Sequence, residues 1–304
     1  SGATVGWIPE SDVDVTDAPV APPTQKALFG YGSTGSHVSM SNLVNSSGVV
    51  ATDTTGVGTA RSGLAAAGYG TDKAIFGYGT TGSLSSLSNL VNNSGVVATD
   101  VTGVGTARDF LAAASYGLDK AIFGYGGSYS SLTNLVNNSG VVAADVTGVG
   151  TARRGPAAAS YGTDKAIFGY GRTGSTLSMT NLVSSSGVVA TDVTGVGTAR
   201  AYLGAAGYGG DKAIFGYGET TLSMTNLVSN SGVVASDVTG VGTGRGYSAA
   251  SGYGGDKALF GYGYTGSAIS VTNLVSNSGV VATDTTGVGT ARYSLGAAGY
   301  SLSA

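Results

Sequence analysis

Apolar and polar positions recur along this chain in one order, six times over. In the second copy, Leu64-Ala-Ala-Ala-Gly-Tyr69 is a short apolar run closed by the turn Gly70-Thr71-Asp72. Lys73-Ala-Ile-Phe-Gly-Tyr78 is a second run, followed by a loop of Gly, Thr and Ser. Ser86-Leu-Ser-Asn-Leu-Val91 is a third, closed by Asn92-Asn93-Ser94-Gly95, and Val96-Val-Ala-Thr-Asp-Val101 is a fourth, rich in β-branched residues. Four short runs bounded by turn signals predict an antiparallel four-stranded sheet in each copy. No helical period appears, and the density of glycine opposes helix throughout.

The string Lys-Ala-(Ile/Leu)-Phe-Gly-Tyr-Gly begins at Lys26, Lys73, Lys120, Lys165, Lys212 and Lys257, at spacings of 47, 47, 45, 47 and 45 residues. A unit of that length is too short for a core of its own, so each copy must bury its apolar faces against its neighbours. Four strands per unit and six units predict an all-β fold, a six-bladed β-propeller over residues 26–304. Side-chain size agrees: the Leu-Ala-Ala-Ala-Gly run offers small residues where blades converge, and Phe and Tyr follow where the wedge widens. The first copy lacks an Ala-rich run and has Pro19, Pro22 and Pro23 before it, whereas the last runs on into Leu295-Gly-Ala-Ala-Gly-Tyr300. Proline cannot donate to a ladder, so the C-terminal strand is expected to complete the N-terminal blade and close the ring.

Composition narrows the function. The chain of 304 residues has a net charge of -3, which opposes a nucleic-acid footprint. It has no Cys and one His, which leaves little for Cys-His or Ser-His-Asp chemistry or for a His-based metal site. No cofactor, metal or enzymatic activity is expected. No run approaches the roughly 18 apolar residues of a membrane span, so no membrane insertion is expected.

An Arg, an Ala-rich strand and a Gly-containing second strand in a unit of about 50 residues resemble the kelch repeat. Phe76-Gly77-Tyr78-Gly79 stands in place of the adjacent double Gly, and the kelch Tyr/Trp pair is missing. Over residues 26–304, Asp-Lys-Ala-Ile-Phe-Gly-Tyr-Gly, Thr-Asn-Leu-Val-Ser and Asp-Val-Thr-Gly-Val-Gly-Thr-Ala-Arg resemble repeat arrays in virion proteins of tailed bacteriophages, especially from aquatic samples. The resemblance implies a tail-fibre or other appendage protein of an extracellular particle.

The six copies differ from one another in few places. In a meander, the second-to-third and fourth-to-first loops open on one face. Of 17 Tyr, 12 occupy repeated slots, and the rest are Tyr129, Tyr202, Tyr247, Tyr264 and Tyr293. The unrepeated Phe is Phe110, the unrepeated cations are Arg154 and Arg172, the unrepeated acids after residue 25 are Asp109 and Glu219, and the one His is His37. All eleven fall in these two loops, and so on one face. Tyrosine supplies rigid contact area and a hydroxyl at low entropic cost. These residues are therefore expected to form exposed contacts to a host-surface glycan or protein. The recurring Asp72-Lys73, Asp100 and Arg108, and the series Asn42, Asn89, Asn134, Asn181, Asn226 and Asn273, are expected to tie loops, strands and neighbouring blades together.

Residues 1–25 form a different material, an extended arm or linker with Glu10, Asp12, Asp14 and Asp17 and no basic residue. Trp7, the only Trp, and Ile8 are expected to dock on other virion subunits. The expected function is a non-enzymatic virion appendage that binds a host surface. The alternatives are a purely structural decoration or spacer subunit, and a secreted lectin-like propeller.

Overall fold

A computed structural model describes residues 24–219 and 221–304. The strands follow the repeats. The first copy gives β1 (Lys26–Ser33) and β2 (His37–Val44), and the second gives β3 (Ala65–Tyr69), β4 (Lys73–Gly77) and β5 (Ser88–Val91). The third gives β6 (Ala112–Tyr116), β7 (Lys120–Gly124) and β8 (Thr133–Val136), and the fourth β9 (Ala157–Tyr161), β10 (Lys165–Gly169) and β11 (Thr180–Val183). The fifth gives β12 (Gly204–Tyr208), β13 (Lys212–Gly216) and β14 (Thr225–Val228). The sixth gives β15 (Ala249–Tyr253), β16 (Lys257–Tyr264) and β17 (Ala268–Val275), and the chain ends on β18 (Gly296–Tyr300).

These strands form six antiparallel sheets of three strands each. Five of them are consecutive in sequence, and the sixth is β18-β1-β2, in which Tyr300 pairs with Lys26 and Gly296 with Gly30. The C-terminal strand thus supplies the inner strand that the first copy lacks.

The expectation of four-stranded sheets is corrected. The fourth run touches the third strand only through isolated bridges, Val91 to Val97 and Ser88 to Val101 in the second copy. A side chain prevents a ladder between them. Asn89 Nδ2 reaches across to donate to the Ala98 carbonyl at 3.0 Å and to Asp100 Oδ1 at 2.9 Å. A side-chain amide that takes up the facing carbonyl competes with the backbone for it.

The middle strand of each sheet is covered on both faces by neighbouring sheets, so Ala74, Ile75 and Phe76 are all buried despite alternating direction. Phe76 meets Tyr31 of the preceding blade edge-on, with centroids 5.1 Å apart, and equivalent pairs recur down to Phe29 with Tyr262. The Phe-Gly-Tyr string follows from this packing: a Cβ on Gly30 would lie 2.6 Å from the Phe76 ring. The inner strands alternate instead, with Ala65, Ala67 and Tyr69 buried toward the sheets and Ala66 and Gly68 turned to a central channel.

Three sets of hydrogen bonds link each blade to the next, and each set returns to its starting blade. In the loops after the inner strands, Gly70 N–H donates to the Asp119 carbonyl, and the series runs on until Gly254 donates to Gln25 and Ser301 to Asp72. In the loops before the inner strands, Phe110 N–H donates to Gly63, Gly155 to Phe110, Tyr202 to Gly155, Tyr247 to Tyr202, Ser294 to Tyr247 and Gly63 to Ser294. The third set uses the recurring charges. The Thr59 hydroxyl donates to Asp100 at 2.6 Å, and the last member joins Thr290 to Asp53 across 237 positions. The fully buried Arg61 lies over the Tyr31 ring at 4.5 Å, donates to Asn89 at 2.5 Å and faces Asp100 at 3.7 Å. The repeated Asp100 and Arg108 series thus tie neighbouring blades and loops, as the sequence led us to expect. Lys73 instead pairs with its neighbour Asp72 at 3.0 Å, and Asn93 of the same copy donates to Asp72, a tie within one blade.

Candidate functional site

The inner strands line the channel from both ends. One end is surrounded by the loops that follow these strands, including Thr71, Leu118 and Thr163, and holds a cavity of about 240 Å³. Repeated residues dominate it. The other end is surrounded by the loops that precede them and holds a smaller cavity of about 110 Å³. Ala66, Ala113, Ala158, Ala205, Ala250 and Ala297 border both cavities.

The loops in which the copies differ meet at this second end. The loop after the second strand runs beside the loop before the inner strand: Ser33 bridges to Tyr293, Thr80 to Ser62, Arg172 to Arg154 and Tyr264 to Gly246. In the fifth copy Glu219 N–H donates to the Ala201 carbonyl at 2.9 Å. Residues far apart in sequence are thereby gathered around one axis.

Most of the singled-out side chains form one cluster. Phe110 packs edge-on to Tyr202 at 5.3 Å and to Tyr247 at 5.9 Å, and Tyr202 stacks on Tyr247 at 4.4 Å. Tyr293 extends the cluster, 6.2 Å from Tyr247 and 5.0 Å from Tyr264. Arg154 lies over Phe110 at 4.4 Å and pairs with Asp109 at 2.8 Å. Asp109 is only 7% exposed, and burial pushes its carboxyl up, an effect that Arg154 partly offsets. Burial also raises the Tyr247 hydroxyl; Tyr202 and Glu219 reinforce this, and Arg172 and Arg154 oppose it. Arg172 donates to the Gly174 carbonyl at 3.4 Å, and Glu219 accepts from Ala201 N–H at 3.2 Å.

Two residues stand apart. His37 Nδ1 lies 3.1 Å from Ser62 Oγ, at the start of β2. Tyr129 has no ring partner among the described residues and is 49% exposed. Trp7 and Ile8 lie outside the described residues.

The rings of the cluster are not free surface residues. Phe110, Tyr202, Tyr247, Tyr264 and Tyr293 are half-buried against one another. Phe110, Tyr202 and Tyr247 also take φ of 46°, 56° and 55°, where the aligned residues are Gly63, Gly155 and Ser294. The circuit of backbone hydrogen bonds requires this left-handed turn in every copy. Bulky residues adopt it at a cost. The rings form a cap over the channel, with their outer surfaces toward solvent.

One residue of this end escaped the sequence reading. Ser248 lines the smaller cavity, is 8% exposed, and its Oγ has no hydrogen-bond partner among the described residues. The aligned positions are Leu64, Leu111, Pro156, Leu203 and Leu295. Comparing the copies at apolar slots, as well as at aromatic and charged ones, would have found it. No family model matches the chain, and no curated protein matches it either.

Proposed function

We propose that the six sheets close into one six-bladed β-propeller, and that it is a non-enzymatic binding module whose aromatic end holds a host-surface glycan. Closure is supported by three inter-blade hydrogen-bond sets that each return to their first blade. The binding role rests on one observation: the unrepeated aromatic and charged residues converge on one end of the channel, although nothing in the repeat places them there. Neutral drift of exposed loops favours Ser, Asn and Lys rather than stacked Tyr and Phe. Aromatic faces rimmed by a few polar groups suit sugar rings, whose C–H faces are apolar and whose edges are hydroxyls. The module serves as a virion appendage, with residues 1–25 attaching it to other subunits.

A second reading has its own support. Phe110, Tyr202 and Tyr247 satisfy one another across the axis. A structural spacer with a sealed channel needs no more than that. A glycan array screened with the full chain separates the two. Binding that is weakened by replacing Tyr264 and Tyr293 with Ser supports the binding module. No binding to any glycan, together with the disc enclosed between other subunits in its particle, would favour the spacer.

A further inference from the structure

We propose that the glycan held at the aromatic end is an acidic one, and that its carboxylate is taken at the rim of the cap by Arg172, beside Arg154. This rests on the reading of that end as a glycan-binding face.

The repeat itself supplies the comparison. In every copy the residue after Gly-Tyr-Gly lies beside the residue after the repeated Arg. Five of these pairs, such as Thr80 with Ser62 and Tyr264 with Gly246, hold at most one charge. The fourth copy alone sets like charges against each other, Arg172 against Arg154, fixed by two backbone bonds of 2.9 Å. Residues directly opposite in such a bridge project from the same face with Cβ atoms roughly 5 Å apart, and like charges there lower stability. Only one of the two cations is neutralised. Asp109 pairs with Arg154 at 2.8 Å. Arg172 has no ion pair among the described residues, and its guanidinium donates to the Gly174 carbonyl at 3.4 Å. Glu219, the other acid of this end, accepts from Ala201 N–H.

The uncompensated charge stands at the edge of the rings. The Arg154 guanidinium covers Phe110 at 4.4 Å. Burial raises the Tyr247 hydroxyl, and Arg172 and Arg154 both oppose this, so both cations lie within reach of the Tyr202–Tyr247 stack. Neither is sealed under the cap: the Arg154 side chain is 34% exposed, and Arg172 also keeps part of its surface open. A ligand meets them from solvent without passing the rings. Charge and shape then select its class. The planar fork of a guanidinium matches a carboxylate through two parallel N–H···O bonds. A carboxylate here supplies the missing counter-charge and relieves the repulsion between the two arginines, which a neutral or amino sugar does not. The pyranose C–H face lies on the outer surface of the Tyr rings, and the carboxylate reaches past their edge to Arg172.

The test uses the full chain and the methyl glycosides of glucuronic acid, galacturonic acid and N-acetylneuraminic acid, against those of glucose and galactose. Affinities are read by calorimetry and saturation-transfer NMR at low ionic strength. At least one acidic sugar should bind about tenfold more tightly than the neutral ones, the range for a charge-assisted pair, and added salt should shrink the difference. Arg172→Thr copies the second blade, so it should keep or raise the melting temperature while abolishing that preference. Equal affinity for acidic and neutral sugars, a preference that survives in Arg172→Thr, or a clear fall in the melting temperature of that variant overturns the proposal and leaves the binding face standing. Failure to bind any saccharide here and on the glycan array overturns both.

Discussion

Replacing Tyr300 with Ala, and separately Tyr161 with Ala, compares one structural slot at the end of the chain with the same slot in its middle. Both tyrosines end an inner strand, at 2% and 4% exposure, and each lies against the turn glycine of the next blade, Gly95 and Gly232. Truncating a buried aromatic to Ala costs about 3–5 kcal/mol through lost transfer energy and the cavity left behind. In a closed ring, β18 cannot fray without giving up its five-residue pairing with β1 and the bond from Ser301 to Asp72. The two variants should then lose the same stability, within about 1 kcal/mol. In an open stack of repeats β18 is a terminal strand, and local fraying absorbs most of the damage. Urea unfolding followed by far-ultraviolet circular dichroism gives both values. A loss for Tyr300→Ala less than half that for Tyr161→Ala would refute ring closure.

The carboxyls of Asp53, Asp100, Asp145, Asp192, Asp237 and Asp284 feel burial, which raises them, but Thr and Asn hydrogen bonds and a facing Arg hold them below the ordinary range. Their stabilisation is present above the unfolded value near pH 4 and is lost as pH falls through the folded values, so acid unfolding should begin below about pH 4 and Asp100→Asn should shift it. Burial pushes Tyr31, Tyr78, Tyr170 and Tyr217 up to about 12, so their contribution is intact below pH 10 and lost between there and pH 12. Tyrosinate absorbance should therefore appear together with unfolding. Tyr129→Gly removes left-handed strain and no ring contact, and should stabilise by about 1 kcal/mol in thermal melts. Tyr202→Gly relieves the same strain but loses two ring pairs worth about 0.5–1.5 kcal/mol each, and should be neutral or destabilising. Arg154→Ala strands the Asp109 carboxylate and should cost up to about 3 kcal/mol, which Asp109→Asn should largely restore.

Periodicity made the inner three runs of each blade legible. Lys73–Gly77 and Ala65–Tyr69 fall where the apolar runs place them, since each strand is defined by residues that can only be buried. The prolines before Lys26 and the extra run after Leu295 disclosed the pairing of β18 with β1. The outer run misled, because Val96 to Val101 has strand composition but its pairing is decided by one amide side chain, Asn89. The gathering of the variable loops was readable from meander geometry. Their mutual stacking was not, because it depends on a left-handed backbone turn that Gly63 and Gly155 announce and that Phe110, Tyr202 and Tyr247 disguise. Ser248 hid for the opposite reason: serine is common in loops and draws notice only against its leucine counterparts.

Each set of inter-blade bonds keeps one direction from blade to blade, but the sets oppose one another: Gly70 donates forward to Asp119, whereas Phe110 donates back to Gly63. A piece of the chain holding three whole blades would therefore carry spare donors and spare acceptors at both sides, each side matching the other. Two such pieces are complementary head to tail, and in the closed ring proposed above two half-circles exhaust the available angle, so assembly stops at a pair and forms no fibre. The same matching of edges at every junction makes the count of blades a property of wedge angle and the site of chain entry a matter of indifference. In such a ring, growth by whole-unit duplication, relocation of the termini and assembly from fragments are three routes to one arrangement. Chemical individuality then has to be written where these copies write it, in the loops around a single end.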